Sequence, residues 1–129
     1  MIAMLLALLV SQDGTGATTL RGQCQYSEAV ARFRDETSLV LCDSLAIDRG
    51  GDAATFGFSR GSWGSMLSFS GEMSGQRMTV SSVRLRSGRA VSATGTCEIF
   101  HIDGRPSMVA CLARAGSRRY AANFRPSRR

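Results

Sequence analysis

The 129-residue chain contains no lysine, one histidine and one tryptophan, and aromatic residues make up only 7% of it. Any histidine-dependent mechanism therefore rests on His101. No apolar run reaches the roughly 18 residues that a membrane-spanning helix needs, so we expect no transmembrane span after removal of the N-terminal segment. The length excludes a two-domain nucleotide-binding enzyme or a (β/α)8 barrel and leaves room for one domain.

Lysine is absent because all sixteen basic residues are arginine, a bias that a GC-rich genome produces without a functional cause. Residues 1–76 hold five arginines against eight acidic residues, whereas residues 77–129 hold eleven against two. The basic half is expected to attract an anionic envelope polymer or an acidic protein, although a solvated sheet face would have the same composition. We expect no nucleic-acid partner, because Tyr120 and Phe124 alternate away from the arginines instead of lying among them.

The N-terminus has the pattern of an export signal. Residues 1–10 are apolar without interruption, and residues 11–19 are small, polar and glycine-rich. This length is typical of a signal peptide, and cleavage is conceivable after Ser11 or after Ala17. The sequence therefore predicts a periplasmic or secreted protein. Its predicted parts are a signal over residues 1–17, a β-domain over residues 18–126 and a frayed basic tail over residues 127–129.

The four cysteines show no close pair, which argues against a zinc site. An even number of widely spaced cysteines instead fits disulfides in an oxidising compartment. Cys97 and Cys111 each lie seven residues from Gly104, at an Asp-Gly hairpin signal that sets the two thiols nearly opposite each other. Cys24 and Cys42 lie in two further strand-like segments. We predict disulfides Cys24–Cys42 and Cys97–Cys111, and no metal or cofactor.

Alternating apolar and polar residues recur along most of the chain. Phe56 and Phe58, for example, share one face of a short strand. Further along, the alternation changes parity at Ser81-Ser82, which predicts a β-bulge or a bend. Eight to ten short strands separated by glycine turns predict an all-β meander, either a small antiparallel β-barrel or a β-sandwich. Only residues 28–36 have helical propensity, and they fit a strand equally well.

Trp63 lies in a loop of small residues beside an arginine. Such an aromatic side chain can stack on a ligand or anchor a partner. A fully exposed tryptophan is unusual, however, so we expect Trp63 to fold back as a plug over the open end of a barrel. Arg84 and Arg86 share one face of a strand and can bind an anion. The candidate ligand-binding residues are Trp63, Arg60, Arg84, Arg86, Arg119 and Arg125.

A formal G-x-S-x-G motif at residues 57–61 raises the alternative of a small hydrolase that uses Ser59 and His101. That motif works at a strand-to-helix turn above a parallel sheet. Here another strand pattern follows residue 61. We therefore expect no catalytic residue, and a binding or structural module in place of an enzyme.

Overall fold

A computed structural model of the protein describes residues 15–26, 37–86 and 88–127. These residues form nine β-strands, and one 3-10 turn (Gly61–Trp63) lies between the fourth and the fifth. The strands are β1 (Thr15–Cys24), β2 (Thr37–Leu39), β3 (Ser44–Gly50), β4 (Ala53–Arg60), β5 (Gly64–Ser74), β6 (Arg77–Leu85), β7 (Ala90–Ile102), β8 (Arg105–Ala115) and β9 (Arg118–Pro126).

Eight of these strands form a closed antiparallel β-barrel. β3 to β9 follow one another round the barrel, and β1 lies between β3 and β9. Residues 22–24 of β1 complete the closure by pairing with residues 124–126 of β9. β2 pairs in parallel with the first half of β9. The predicted all-β antiparallel domain is confirmed, and of the two alternatives the barrel is correct.

Side chains alternate between the interior and the solvent along the strands, and aromatic rings fill the interior. Phe56, Phe58 and Phe69 have no exposed surface, and the rings of Phe58 and Phe69 meet edge to face with centroids 5.9 Å apart. Phe124 of β9 packs on the same cluster, 6.4 Å from Phe58. These buried rings stabilise the barrel through the apolar area that they remove from water.

The bulge expected in β6 is confirmed. The pairing register skips Ser81, so Val80 and Val83 both point into the core although they are three residues apart. Gly71 of β5 lies opposite Val80, and a Cβ at Gly71 would collide with the carbonyl oxygen of Thr79. Only glycine fits at this position, because the neighbouring backbone approaches too closely for a side chain.

The β7–β8 hairpin places Cys97 opposite Cys111, and the predicted disulfide joins them with their Cα atoms 4.0 Å apart. Asp103 and Gly104 form the turn with φ values of 53° and 78°, the left-handed conformation that a two-residue Asp-Gly turn requires. Such a turn alone would leave the cysteines one residue out of register. The pairing skips Ser107, and this shift brings the two thiols together.

The second predicted disulfide, Cys24–Cys42, is also confirmed. It joins the last residue of β1 to the short segment between β2 and β3. Tyr26 lies beside it. The Tyr26 hydroxyl donates a hydrogen bond to the Val40 carbonyl (2.7 Å), accepts one from the Val40 N–H (3.2 Å) and lies 3.3 Å from the Ala121 carbonyl. Burial raises the pKa of Tyr26 to about 12. Tyr26 thus attaches the segment before β3 to β9 of the barrel wall.

The first and last barrel strands lie close to the predicted domain boundaries. β1 begins at Thr15, so its first three residues fall within the predicted signal. Ser127, the first residue of the expected tail, donates its N–H to the Arg21 carbonyl at 2.7 Å. Most of the signal, the possible helix over residues 28–36 and the last two residues lie outside the described residues. Among the described residues, no helix has the length and apolar character to cross a membrane.

Candidate anion-binding site

The strands alternate in direction, so their connections divide between two ends of the barrel. The β4–β5, β6–β7 and β8–β9 connections lie at one end, which we call the Trp63 end. The β3–β4, β5–β6 and β7–β8 connections lie at the other, which we call the Asp103 end. This division decides which polar side chains are neighbours in space.

Exposed arginines flank all three of the connections named at the Trp63 end. We call this group the arginine rim, and it consists of Arg60, Arg84, Arg86, Arg89, Arg114, Arg118 and Arg119. In the part of the chain that the structure describes, Asp43 supplies the only carboxylate near this end. Among the described residues, arginines therefore outnumber carboxylates at this end.

The Asp103 end has the opposite sign. Five carboxylates lie at or near this end, compared with three arginines. They are Asp48, Asp52, Glu72, Glu98 and Asp103, against Arg49, Arg77 and Arg105. Arg77 and Glu98 form an exposed ion pair with 3.7 Å between Nη2 and Oε1. The described residues of the two ends thus differ in sign, and such a separation of charge favours the approach of an anion to the Trp63 end.

Trp63 projects from the 3-10 turn with 60% of its surface exposed, so the expected plug is wrong. Gly61 and Gly64 bracket the turn with φ values of 45° and 78°, a backbone conformation that glycine adopts without strain. The Asp43 carboxylate fixes the turn, because both of its oxygens accept the Gly61 N–H, at 3.0 and 2.9 Å. The Arg86 guanidinium lies over the Trp63 ring, 4.7 Å from its centroid, in a cation–π contact.

Two arginines of the rim are oriented by their own hairpins. Arg84 donates from Nε to the Gly88 carbonyl at 3.2 Å. Arg114 donates from Nε to the Gly116 carbonyl at 3.1 Å. Bonds to neutral carbonyls hold these guanidinium groups in place without compensating their charge. The positive charge therefore remains able to act on an anion.

The structure brings five of the six predicted ligand-binding residues to the same end of the barrel. These are Trp63, Arg60, Arg84, Arg86 and Arg119. Arg125 lies apart, because it pairs with Gln23, six residues and about 20 Å along β9 from Arg119. Arg89, Arg114 and Arg118 belong to the rim although they are not among the predicted ligand-binding residues. Their position beside alternate turns could have identified them, because every second turn of a β-meander lies at the same end of the barrel.

The outer wall of the barrel also has a groove of about 710 Å³ near the Asp103 end. Thr55 and Ser70 line it, and their hydroxyl oxygens are 3.0 Å apart and satisfy each other. Asp48 and Glu72 also line it, and Arg49 is the only arginine among its lining residues, so the groove carries more negative than positive charge. The arginine rim is therefore the candidate site.

The alternative catalytic pair is not brought together. Ser59 pairs with Ser44 at the Trp63 end, whereas His101 pairs with Pro106 beside the turn at the Asp103 end. β4 and β7 are also three strand spacings apart, roughly 14 Å, whereas a working pair needs roughly 3 Å. The G-x-S-x-G segment ends in a 3-10 turn and another antiparallel strand, without the helix that a nucleophile elbow requires.

Metal binding has no support in the described ranges, which contain no group of three or more His, Cys, Asp or Glu residues able to hold an ion. Comparisons of the chain with known protein families, with curated proteins and with solved structures find no match. The features of the described residues that bear on function are the arginine rim, Trp63 and the opposite charge of the two ends.

Proposed function

We propose that this protein is an exported binding module that engages an anionic partner of the cell envelope, a polymer or an acidic protein, through the arginine rim. The observation that carries the proposal is the separation of charge along the barrel. Seven exposed arginines share the Trp63 end with one described carboxylate, whose oxygens bond to the Gly61 N–H. Bidentate guanidinium groups are well suited to carboxylate, phosphate and sulfate groups.

Two disulfides indicate an oxidising, non-cytoplasmic compartment. Periplasmic or secreted placement is the part that we propose, on the basis of the apolar N-terminal run. Cleavage after Ser11 would leave β1 whole. Cleavage after Ala17 would remove three residues that pair with Asp48, Arg49 and Gly50 of β3. We therefore favour the earlier site, which the intact mass of the mature protein tests directly.

Binding without catalysis is the second part of the proposal. It is supported by the separation of Ser59 from His101 and by the filled interior of the barrel, which leaves the ends and the outer wall for contact with a partner. A surface with several positive charges can hold a polyanion through many exposed contacts without a deep pocket.

The test is binding of the purified protein to a soluble polyanion, dextran sulfate, at two salt concentrations. The rim variant Arg86→Gln/Arg89→Gln is compared with Arg77→Gln/Arg105→Gln, which removes the same charge from the Asp103 end. We expect binding to weaken with salt and to fall in the rim variant alone. Binding that persists at high salt, or an equal loss in both variants, would overturn the proposal.

A further inference from the structure

Exposed apolar side chains accompany the arginines at the Trp63 end. Among the described residues, seven large hydrophobic side chains are exposed, and four of them lie here. We call these four the apolar tip, and they are Leu41 (57% exposed), Trp63 (60%), Leu85 (40%) and Val91 (45%). Clustered exposed apolar surface marks an interaction site more often than isolated residues do.

The strand pattern explains why this apolar surface points along the barrel axis. Leu85 continues the inward-facing phase of Val83, and Val91 pairs directly with Val83. Val83 itself is buried with 2% exposure, whereas its two neighbours lie beyond the last layer of the core. Their side chains therefore extend the hydrophobic interior out through the mouth of the barrel, inside the arginine rim.

Leu41 joins them from the segment before β3. It lies two residues before Asp43, whose N–H donates to the Ser59 carbonyl near the end of β4 and whose carboxylate holds the turn that carries Trp63. The tip thus combines side chains from three separate parts of the chain. Arginines of the rim flank it at the β4–β5 and β6–β7 connections.

A partner for this end must match both features. A soluble polyanion would satisfy the arginines and leave the apolar tip in water, and a protein partner would need an apolar pocket bordered by carboxylates. The surface of an anionic bilayer satisfies both, because phosphate groups lie above an apolar layer, and tryptophan is enriched at that boundary. Each arginine near such a surface adds roughly a fivefold gain in affinity.

We infer that the Trp63 end docks on the surface of an anionic lipid bilayer, with the arginine rim among the phosphate groups and the apolar tip at the acyl boundary. This inference rests on the proposed function, because it uses the same rim. The five carboxylates of the Asp103 end are repelled by the same surface, so the barrel stands with that end away from the membrane.

The experiment uses the intact disulfide-bonded protein and vesicles of phosphatidylglycerol, with phosphatidylcholine vesicles as the neutral comparison. Trp63 is the only tryptophan, so its fluorescence reports on the tip alone. We expect a blue shift with phosphatidylglycerol, none with phosphatidylcholine, and quenching by lipids brominated on their acyl chains. Vesicle binding without a change in Trp63 emission would overturn the inference, as would equal binding to both lipids.

Matched variants separate charge from apolar contact. Arg86→Gln/Arg89→Gln should bind phosphatidylglycerol vesicles about 25-fold more weakly, whereas Arg77→Gln/Arg105→Gln should match the parent protein. Leu41→Ser should weaken vesicle binding roughly tenfold. Ile102→Ser, at an equally exposed position of the Asp103 end, should leave it unchanged.

The dextran sulfate experiment distinguishes failure of this inference from failure of the proposed function. Rim-dependent binding to dextran sulfate together with no binding to phosphatidylglycerol vesicles overturns membrane docking and leaves the anion-binding function standing. Loss of both overturns both. An equal effect of Leu41→Ser and Ile102→Ser on vesicle binding also overturns docking through the tip.

Discussion

Raising the pH should destabilise the protein through a single residue, Tyr26. Its hydroxyl is partly buried between the Val40 and Ala121 carbonyls, and its pKa in the folded protein is about 12, against about 10 in the unfolded chain. Below pH 10 the phenol is protonated in both states and contributes no pH dependence. Between pH 10 and 12 only the unfolded state loses the proton, so the free energy of unfolding falls as the pH rises.

The magnitude follows from the two pKa values. Full linkage would lower the free energy of unfolding by about 1.4 kcal/mol at pH 11. Because Tyr26 keeps some contact with solvent, we expect about 1 kcal/mol. Replacing Tyr26 by Phe should cost about 1–2 kcal/mol at pH 8, where the Val40 N–H loses its acceptor. The same replacement should remove the decline at higher pH, so the difference between variant and parent shrinks as the pH rises.

The assay is urea unfolding at pH 8, 9, 10 and 11, followed by circular dichroism, with the midpoints compared at constant slope. Tyr120→Phe is the matched control, because it makes the same chemical change at the only other tyrosine. The parent protein and Tyr120→Phe should lose stability between pH 9 and 11, and Tyr26→Phe should not. An equal loss in all three proteins would refute the role assigned to Tyr26.

Three further predictions concern stability and the turn of Trp63. Replacing Cys97 and Cys111 together by Ala should lower the free energy of unfolding by about 3 kcal/mol in urea titration, because the disulfide closes a loop with a sequence separation of 14; an unchanged midpoint would contradict this. Gly71→Ala should cost about 3 kcal/mol or more, or abolish soluble expression, since its Cβ meets backbone, and a parent-like melting temperature would refute it. Asp43→Asn should cost about 1 kcal/mol and lower the fluorescence anisotropy of Trp63, because the turn loses a charge-assisted acceptor; unchanged anisotropy would show that the carboxylate does not fix the turn.

Local features of the fold could be predicted from the sequence because their causes are local. The Asp-Gly turn, the parity change at Ser81-Ser82 and the pairing of Cys97 with Cys111 all follow from residues within one hairpin. The bulge at Ser107 is the feature of this hairpin that the sequence does not predict. The sequence left the register of that hairpin open by one residue, and the structure resolves it.

Closure of the barrel and the arginine rim depend on distant residues and could be foreseen only in part. The pairing of residues 22–24 with residues 124–126 closes the barrel, and no local sequence pattern predicts a contact between segments so far apart in the chain. The sequence therefore predicted a barrel or a sandwich without deciding between them. Dividing the charge by halves of the sequence grouped Arg125 with the rim, whereas the structure divides charge by barrel end. The plug expected of Trp63 is wrong because the ring stays exposed in contact with the Arg86 guanidinium, a contact between two separate hairpins that has no local signal in the sequence.

The meeting of the first and last barrel strands has a consequence for how the chain folds. The chain is made from its N-terminus, so β1 is present before β9. The edge of β1 that faces β9 stays unpaired until about a hundred further residues have been added, because Cys24 pairs with Phe124. Non-local pairing of this kind slows folding and leaves an open strand edge exposed to aggregation. The Cys24–Cys42 disulfide can form before β9 is present. It would hold β1 close to the segment that contains β2, and β2 later pairs with β9.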